Sequence, residues 1–133
     1  MKLEWISDLY EESELEGVDS EEIVRFFEFS MNEADLLSKA IRYFVLEQKE
    51  KLDVTRLAFV EALNCNLIFV LATEDIGIEY VEKVGFVCGL TFEGYERMLS
   101  LMEPFTKRDL KSYQWLYDLD TPVDLLFSPK GSW

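Results

Sequence analysis

The fold class of this chain depends on its longest unbroken apolar run, Leu67-Ile68-Phe69-Val70-Leu71-Ala72. The run is far shorter than the roughly 20 residues that cross a bilayer, so we expect no membrane span. It fits either a buried helix or a short buried strand, which periodicity alone does not separate. Apolar residues before it recur at helical spacing from Asp53 onward, and they favour a helix. We predict a helix over 54–72 with a break at 64–66, and a strand over 66–72 is the alternative.

Helix signals also dominate the sequence on both sides of this run. Asp, Ser, Asn or Thr residues precede apolar residues spaced three to four apart, as at helix starts. Gly85 and Pro104 stand where two of these patterns stop. The predicted helices cover residues 20–29, 32–49, 54–72, 73–84, 91–103 and 106–117. Since short linkers favour antiparallel neighbours, we predict an all-α, or mainly α, fold: an irregular bundle of about six helices or stacked helical hairpins.

Length and composition indicate one folded unit. The chain has 133 residues, of which 49% are hydrophobic and 14% aromatic, and this is enough apolar area for a core. We predict a single domain over 1–133 whose tail, residues 123–133, packs back on the body. The N-terminus is acidic where a secretory signal is basic, which favours a cytoplasmic protein. We expect Cys65 and Cys88 to be reduced and mostly buried, with one disulfide between them as the alternative.

Negative charge is the most distinctive property of the composition. The formal net charge is −14, and residues 1–50 contribute −9 because they hold 14 acids and 5 bases. Nucleic acids and anionic membranes bind through Lys and Arg, so neither is an expected partner. Within an acidic N-terminal segment, 8–22, the stretch Tyr10–Glu22 holds seven acids and no base. The acids over 19–22 suit a helix start, whereas four others have no structural reason: Glu11, Glu12, Glu14 and Glu16.

The sequence carries no catalytic signature. It has no histidine, which excludes the commonest general base, the commonest zinc ligand and the histidine-dependent nucleophiles. Asp118, Asp120 and Asp124 alternate like calcium ligands, but the central Gly and terminal Glu of a calcium loop are missing. The glycines do not form a phosphate-binding loop. We therefore expect no enzymatic activity, no metal and no cofactor, and a carboxylate- or metal-dependent enzyme is the third-ranked alternative.

A compact acidic chain without a catalytic or nucleic-acid-binding pattern is typical of a protein that binds another protein. In size, charge and expected helical content it resembles the bacterial immunity proteins and antitoxins that neutralise nuclease toxins, and phage proteins that imitate the charge of nucleic acid. This resemblance implies stoichiometric inhibition of a basic partner, such as a nuclease toxin domain. The predicted contact residues are Glu11, Glu12, Glu14 and Glu16, with Trp5 and Tyr10 as aromatic anchors. The alternative is a general protein-interaction or regulatory helical module, and the oligomeric state stays open.

Overall fold

Strands make up more of the regular structure than helices do. The computed structural model describes residues 1–7, 22–117 and 123–131, and these ranges contain nine strands in two mixed sheets. The strands are β1 Lys2–Ser7, β2 Glu22–Phe27, β3 Leu52–Asp53, β4 Glu61–Ala62, β5 Leu67–Leu71, β6 Gly77–Val81, β7 Gly85–Leu90, β8 Gln114–Tyr117 and β9 Val123–Ser128. The helical elements are α1 Met31–Ala40, its continuation as a π-helix over Ile41–Glu47, a 3-10 turn over Val54–Arg56 and α2 Phe92–Lys107.

The larger sheet has five strands in the order β4-β1-β2-β9-β8. β1 and β2 are antiparallel neighbours, whereas β2 and β9 run parallel and pair Glu22 with Val123 through Phe27 with Ser128. β8 lies antiparallel to β9 at one edge, and the short β4 lies parallel to β1 at the other. The centre of this sheet therefore joins two segments from nearly opposite ends of the sequence.

The smaller sheet has the order β3-β5-β7-β6, and the apolar run 67–72 supplies its β5. β5 is parallel to β7 and antiparallel to β3, so it has a hydrogen-bonded neighbour on each side. Phe69 is fully buried, and a continuous apolar run is typical of a strand that is covered on both faces. The Tyr95 hydroxyl of α2 donates to the backbone oxygens of Val70 at 2.6 Å and Cys88 at 2.8 Å, which joins α2 to β5 and β7.

Both sheets and both helices contribute to one hydrophobic core. Phe127 of β9 is a centre of aromatic packing, with ring centroids 4.2 Å from Phe29, 5.2 Å from Phe105 and 6.2 Å from Phe26. Burial of side chains of this size stabilises a fold by roughly 1.5–3 kcal/mol each. The largest fully buried residues are Leu3, Phe26, Leu37, Ile41, Leu67, Phe69, Ile78, Leu90, Tyr95, Met98, Met102 and Phe127.

A capping box starts α1. The Ser30 hydroxyl accepts a hydrogen bond from Glu33 N at 3.1 Å, and Glu33 Oε1 accepts one from Ser30 N at 3.1 Å. The other oxygen of this carboxylate, Oε2, lies 2.9 Å from the amino group of Met1. Burial raises the pKa of Glu33, but the hydrogen bonds from Met1 and Ser30 outweigh burial and lower the pKa below its ordinary value of 4.5. One carboxylate therefore links the start of β1 to the start of α1.

The predicted all-α fold, whether an irregular bundle or stacked helical hairpins, is wrong. Residues 20–29 contain β2, 54–72 contain a 3-10 turn followed by β4 and β5, 73–84 contain β6, and 106–117 end in β8. Apolar spacing in these segments is compatible with a helix, but their backbone groups pair with other strands: β2 and β5 with distant ones, and β6 and β8 with the strand that follows each in the chain. In the run 67–72 the physical reason is that all residues are apolar, so no polar side distinguishes a helix from a strand; in the other segments strand pairing overrode the local helix signals.

The predictions for the other two helices are confirmed. The predicted helix 32–49 corresponds to α1 and its π-helical continuation, although Ser30 rather than a later residue is the cap. The predicted helix 91–103 corresponds to α2, which Thr91 caps and which continues past Pro104. Each of these helices begins with a hydrogen bond between residues three apart, so its position is encoded locally.

Candidate functional site

Two connecting segments begin and end at the same end of the larger sheet. Ser7, the last residue of β1, pairs with Glu22, the first residue of β2, and Glu22 also pairs with Val123, the first residue of β9. Neighbouring strands lie about 4.8 Å apart. The segment 8–21 connects β1 to β2, and the segment 118–122 connects β8 to β9. Topology therefore attaches both segments to the same strand ends.

Most of the net charge belongs to these two segments. They hold seven acids in 8–21 and two in 118–122, with no Lys or Arg, and so contribute −9 of the formal −14. We call the strand ends Ser7, Glu22, Tyr117 and Val123, from which these two segments continue in sequence, the acidic end. Nothing in the linear pattern shows that β1, β2 and β9 are neighbours, so the sequence alone does not indicate that the two segments share these strand ends.

An open cleft of about 690 Å³ lies beside the acidic end. It separates the end of β1 in the larger sheet from the β6–β7 hairpin of the smaller sheet. Ile78 and Tyr80 lie two residues apart on β6, so their side chains point to the same face of the strand. Ile78 is fully buried, whereas Tyr80 is 64% exposed. We call this space the aromatic cleft; the residues of its lining that bear on recognition are Trp5, Glu22, Cys65, Tyr80, Lys83 and Phe86.

Three aromatic rings form the wall of the cleft. The Phe86 ring lies 6.1 Å from the Trp5 ring and 5.3 Å from the Tyr80 ring, centroid to centroid. Trp5 is half-buried and Phe86 is buried, so the ring of Tyr80 is the most accessible of the three. Aromatic rings held in this way offer a large contact area at little cost in conformational entropy.

Two asparagines hold the walls of the cleft in place. The Asn64 side chain bonds both backbone groups of Trp5: its Oδ1 accepts from Trp5 N at 2.7 Å, and its Nδ2 donates to Trp5 O at 2.8 Å. Asn66 Nδ2 donates to Val84 O at 2.8 Å. The next residue, Gly85, has a φ of 114°, and a Cβ there would overlap the Asn66 side chain. These contacts anchor the segment 64–66 to the end of β1 and to the β6–β7 turn.

Besides the Tyr80 phenol, the titratable groups in the lining of the cleft are one carboxylate, one ammonium and one thiol. Glu22 and Lys83 have opposite charges, and Lys83 belongs to the turn between β6 and β7, with a φ of 68°. Cys65 and Cys88 are free thiols, as predicted, and Cys88 lies buried away from the cleft. Burial, together with the charge of Glu4, raises the pKa of Cys65 to about 11. This thiol is therefore protonated at neutral pH and is not an activated nucleophile.

Of the six predicted contact residues, one lies in the described part of the chain. Trp5 lies in the wall of the aromatic cleft, where its backbone is held by Asn64. The other five predicted residues, Tyr10, Glu11, Glu12, Glu14 and Glu16, fall in 8–21 and lie outside the described residues. Sequence reasoning missed Tyr80 and Phe86 as partners of Trp5, because it placed both in or next to a predicted helix. A glycine-rich alternation over 77–90 is the signal that would have indicated a hairpin.

Apolar side chains are also exposed along the β6 edge of the smaller sheet. β6 is the last strand of that sheet. Ile76, Tyr80, Val81 and Val84 are exposed on this strand and its flanking turns. An edge strand with exposed apolar side chains is a surface on which another chain can pair.

The described ranges contain neither a metal-binding cluster of side chains nor a helix that could span a membrane. Across 1–7, 22–117 and 123–131, the acidic and sulfur-bearing side chains form no group of three or more that could hold a metal ion. The helices in the described part of the chain are all too short or too polar to cross a membrane.

Comparison with known proteins returned no match: no protein-family model, no curated protein and no solved structure is significantly similar to this chain.

Proposed function

We propose that this chain is a stoichiometric inhibitor of the immunity-protein or antitoxin type, which binds a basic protein such as a nuclease toxin domain in the cytoplasm. The observation that carries the proposal is the topology of the larger sheet, which attaches nine acids and no base to one set of strand ends. An inhibitor that covers a nucleic-acid-binding face needs a concentrated negative surface of this kind.

Charge concentrated at one end of a protein favours fast association with an oppositely charged surface. Complementary charge raises association rates from about 10⁵–10⁶ M⁻¹s⁻¹ toward 10⁸–10⁹ M⁻¹s⁻¹ at low salt. Screening shortens the range of this attraction to about 8 Å at physiological ionic strength. The proposed interaction should therefore weaken strongly as salt is added, with most of the change in the association rate.

Charge steers the association of the two proteins, and the aromatic cleft supplies the residues for close contact. Binding energy in protein interfaces is concentrated in a few residues, among which Trp, Tyr and Arg are enriched. Trp5 and Tyr80 lie beside the acidic end, and Asn64 holds the Trp5 backbone in a fixed position. We assign long-range steering to Glu11, Glu12, Glu14 and Glu16, and the close contact to Trp5 and Tyr80, with Tyr10 as a further anchor.

The experiment compares two variants with the same net charge. In the first, Glu11, Glu12, Glu14 and Glu16 are changed to Gln; in the control, four exposed acids away from the acidic end are changed to Gln, namely Glu47, Glu50, Glu61 and Glu93. If the neighbouring reading frame encodes a protein with a basic C-terminal domain, that domain is the partner to use, titrated by calorimetry at about 50 mM and about 300 mM salt. We expect at least about a tenfold loss of affinity and a smaller salt slope for the first variant only. Equal affinity and equal salt slope for the two variants would contradict the proposal.

The exposed β6 edge favours a second candidate function, a general protein-interaction module. Ile76, Val81 and Val84 are exposed next to an edge strand, and an extended segment of a partner can add to such an edge by backbone hydrogen bonds. This association would change little with salt. It would be abolished by Val81→Lys, whereas the four-Gln variant at the acidic end would bind normally, so the same titration separates the two functions.

A further inference from the structure

The lining of the aromatic cleft combines accessible rings with one carboxylate. Trp5, Tyr80 and Phe86 surround the space, and Glu22 stands where the cleft meets the acidic end. A volume of about 690 Å³ lies within the range that ligand sites occupy. It is large enough for one long side chain together with the backbone that carries it. Rings and a carboxylate together attract a flat cation, since both the ring face and the carboxylate are negative.

The same chain already binds a guanidinium in this way elsewhere. On the larger sheet, the Arg25 guanidinium carbon lies 4.0 Å from the centroid of the Phe27 ring. Arg25 Nη2 also lies 2.9 Å from Glu4 Oε1. A ring on β2 and a carboxylate on β1 therefore both contact an arginine side chain in this fold.

We infer that the aromatic cleft receives an arginine side chain of the basic partner, stacked on Tyr80 and Trp5 and paired with Glu22. This inference rests on the proposed function, because it is the basic partner that supplies the arginine. Arginine fits better than lysine for two reasons. Its planar guanidinium stacks on rings and is weakly hydrated, and its fork of N–H donors matches a carboxylate.

The positive charge of Lys83 allows a test of whether the cleft binds a cation or an anion. Lys83 belongs to the lining of the cleft, and its positive charge repels a cation and attracts an anion. Removing this charge should strengthen the binding of an arginine and weaken the binding of any anionic group. Because Lys83 is exposed and belongs to a turn, its substitution should leave the fold intact.

The test uses N-acetyl-L-arginine amide as the probe and N-acetyl-L-lysine amide as its matched control. Each is titrated into the full chain, and binding is followed by chemical-shift changes of the Trp5 indole. We expect saturable binding of the arginine probe, at least about threefold tighter than the lysine probe. Lys83→Ala should tighten arginine binding about two- to fivefold, while Glu22→Gln and Tyr80→Ala should each weaken it by a similar factor. Tyr43→Ala, which removes an exposed ring on the π-helix, should have no effect.

Equal binding of the two probes, or weaker arginine binding by the Lys83→Ala variant, would overturn the inference. Either result leaves the proposed function intact if the partner still binds with a steep salt dependence that the four-Gln variant loses. Conversely, the arginine probe can behave as expected while the basic partner binds both four-Gln variants equally. In that case the proposed function is wrong, although the cleft binds arginine. The unfolding midpoint is also measured for each variant: Glu22→Gln, Tyr80→Ala and Lys83→Ala. A midpoint equal to that of the parent chain shows that a change in probe binding comes from the cleft and not from loss of the fold.

Discussion

Replacing Tyr95 by Phe removes a single oxygen atom from the centre of the fold. That hydroxyl is fully buried and donates to Val70 O at 2.6 Å and Cys88 O at 2.8 Å, on two neighbouring parallel strands. Burial is the main reason that the pKa of Tyr95 is raised far above its ordinary value, so the hydroxyl stays a donor at every pH of interest. The substitution therefore tests one contact between α2 and the smaller sheet.

The expected loss of stability follows from the number of hydrogen bonds that the Tyr95 hydroxyl can donate. One hydroxyl has one proton, so the two contacts count as one hydrogen bond divided between two acceptors. A net hydrogen bond contributes about 0.5–1.5 kcal/mol, and leaving buried acceptors less well paired costs about 1–3 kcal/mol. We expect Tyr95→Phe to lower the free energy of unfolding by about 1.5–2 kcal/mol. For a chain of this length each kcal/mol corresponds to about 3–5 °C, so the melting temperature should fall by about 5–10 °C.

Urea denaturation followed by far-ultraviolet circular dichroism measures this change. The midpoint should fall while the dependence on urea concentration keeps its slope, because the surface exposed on unfolding is nearly the same. Tyr43→Phe is the matched control, since the Tyr43 side chain is exposed, and it should change stability by less than about 0.5 kcal/mol. If Tyr95→Phe is as stable as Tyr43→Phe, the Tyr95 hydroxyl does not stabilise the packing of α2 on β5 and β7.

Three further substitutions or measurements test other parts of the structure. Gly85→Ala should destabilise the fold by more than about 1 kcal/mol, because φ is 114° there and the new Cβ would displace Asn66. Thermal melting of G85A measures this loss of stability. An unchanged melting midpoint would contradict the close approach of Gly85 to the Asn66 side chain. The lowered pKa of Glu33 means that its ion pair with the amino group of Met1 stabilises the fold above the ordinary carboxyl pKa of 4.5, and that this contribution is lost as the pH falls through the folded-state pKa. Glu33→Gln should therefore lower stability by about 1 kcal/mol at pH 7, with a smaller difference at pH 3, and a constant difference in urea titrations at both pH values would argue against the ion pair. Alkylation of Cys65 by iodoacetamide should be slow at pH 7.5 and should accelerate up to a pKa of about 11; a plateau near pH 8.5 would show an ordinary thiol.

The two helices could be predicted from the sequence because their signals are local. Ser30 with Glu33, and Thr91 with Gly94, form caps between residues three apart. Such hydrogen bonds need no distant partner, so they can be recognised in a linear pattern. Composition also indicated Trp5 as a candidate contact, because Trp is enriched at binding hot spots and this one borders acidic residues. It also identified the acidic segment, because charge is a property of composition.

Most of the strands could not be predicted in this way, because they pair with partners distant in sequence; the β6–β7 hairpin is the exception, since its glycine pattern is local. Residues 22–27 satisfied a helical spacing, yet they form the middle of a sheet by pairing with 123–128. The run 67–72 is apolar throughout, so it carries no periodicity that would separate a buried strand from a buried helix. The pairing of β5 with β7 decided between them.

The sequence by itself determined the existence of the two helices, the expectation of a hydrophobic core and the large negative charge. Tertiary structure alone decided that Trp5, Tyr80 and Phe86 share a cleft, and that segments 8–21 and 118–122 are attached to the same strand ends. The physical reason is distance along the chain: caps and composition act within a few residues, whereas a sheet brings together strands whose separation in sequence carries no record of their pairing.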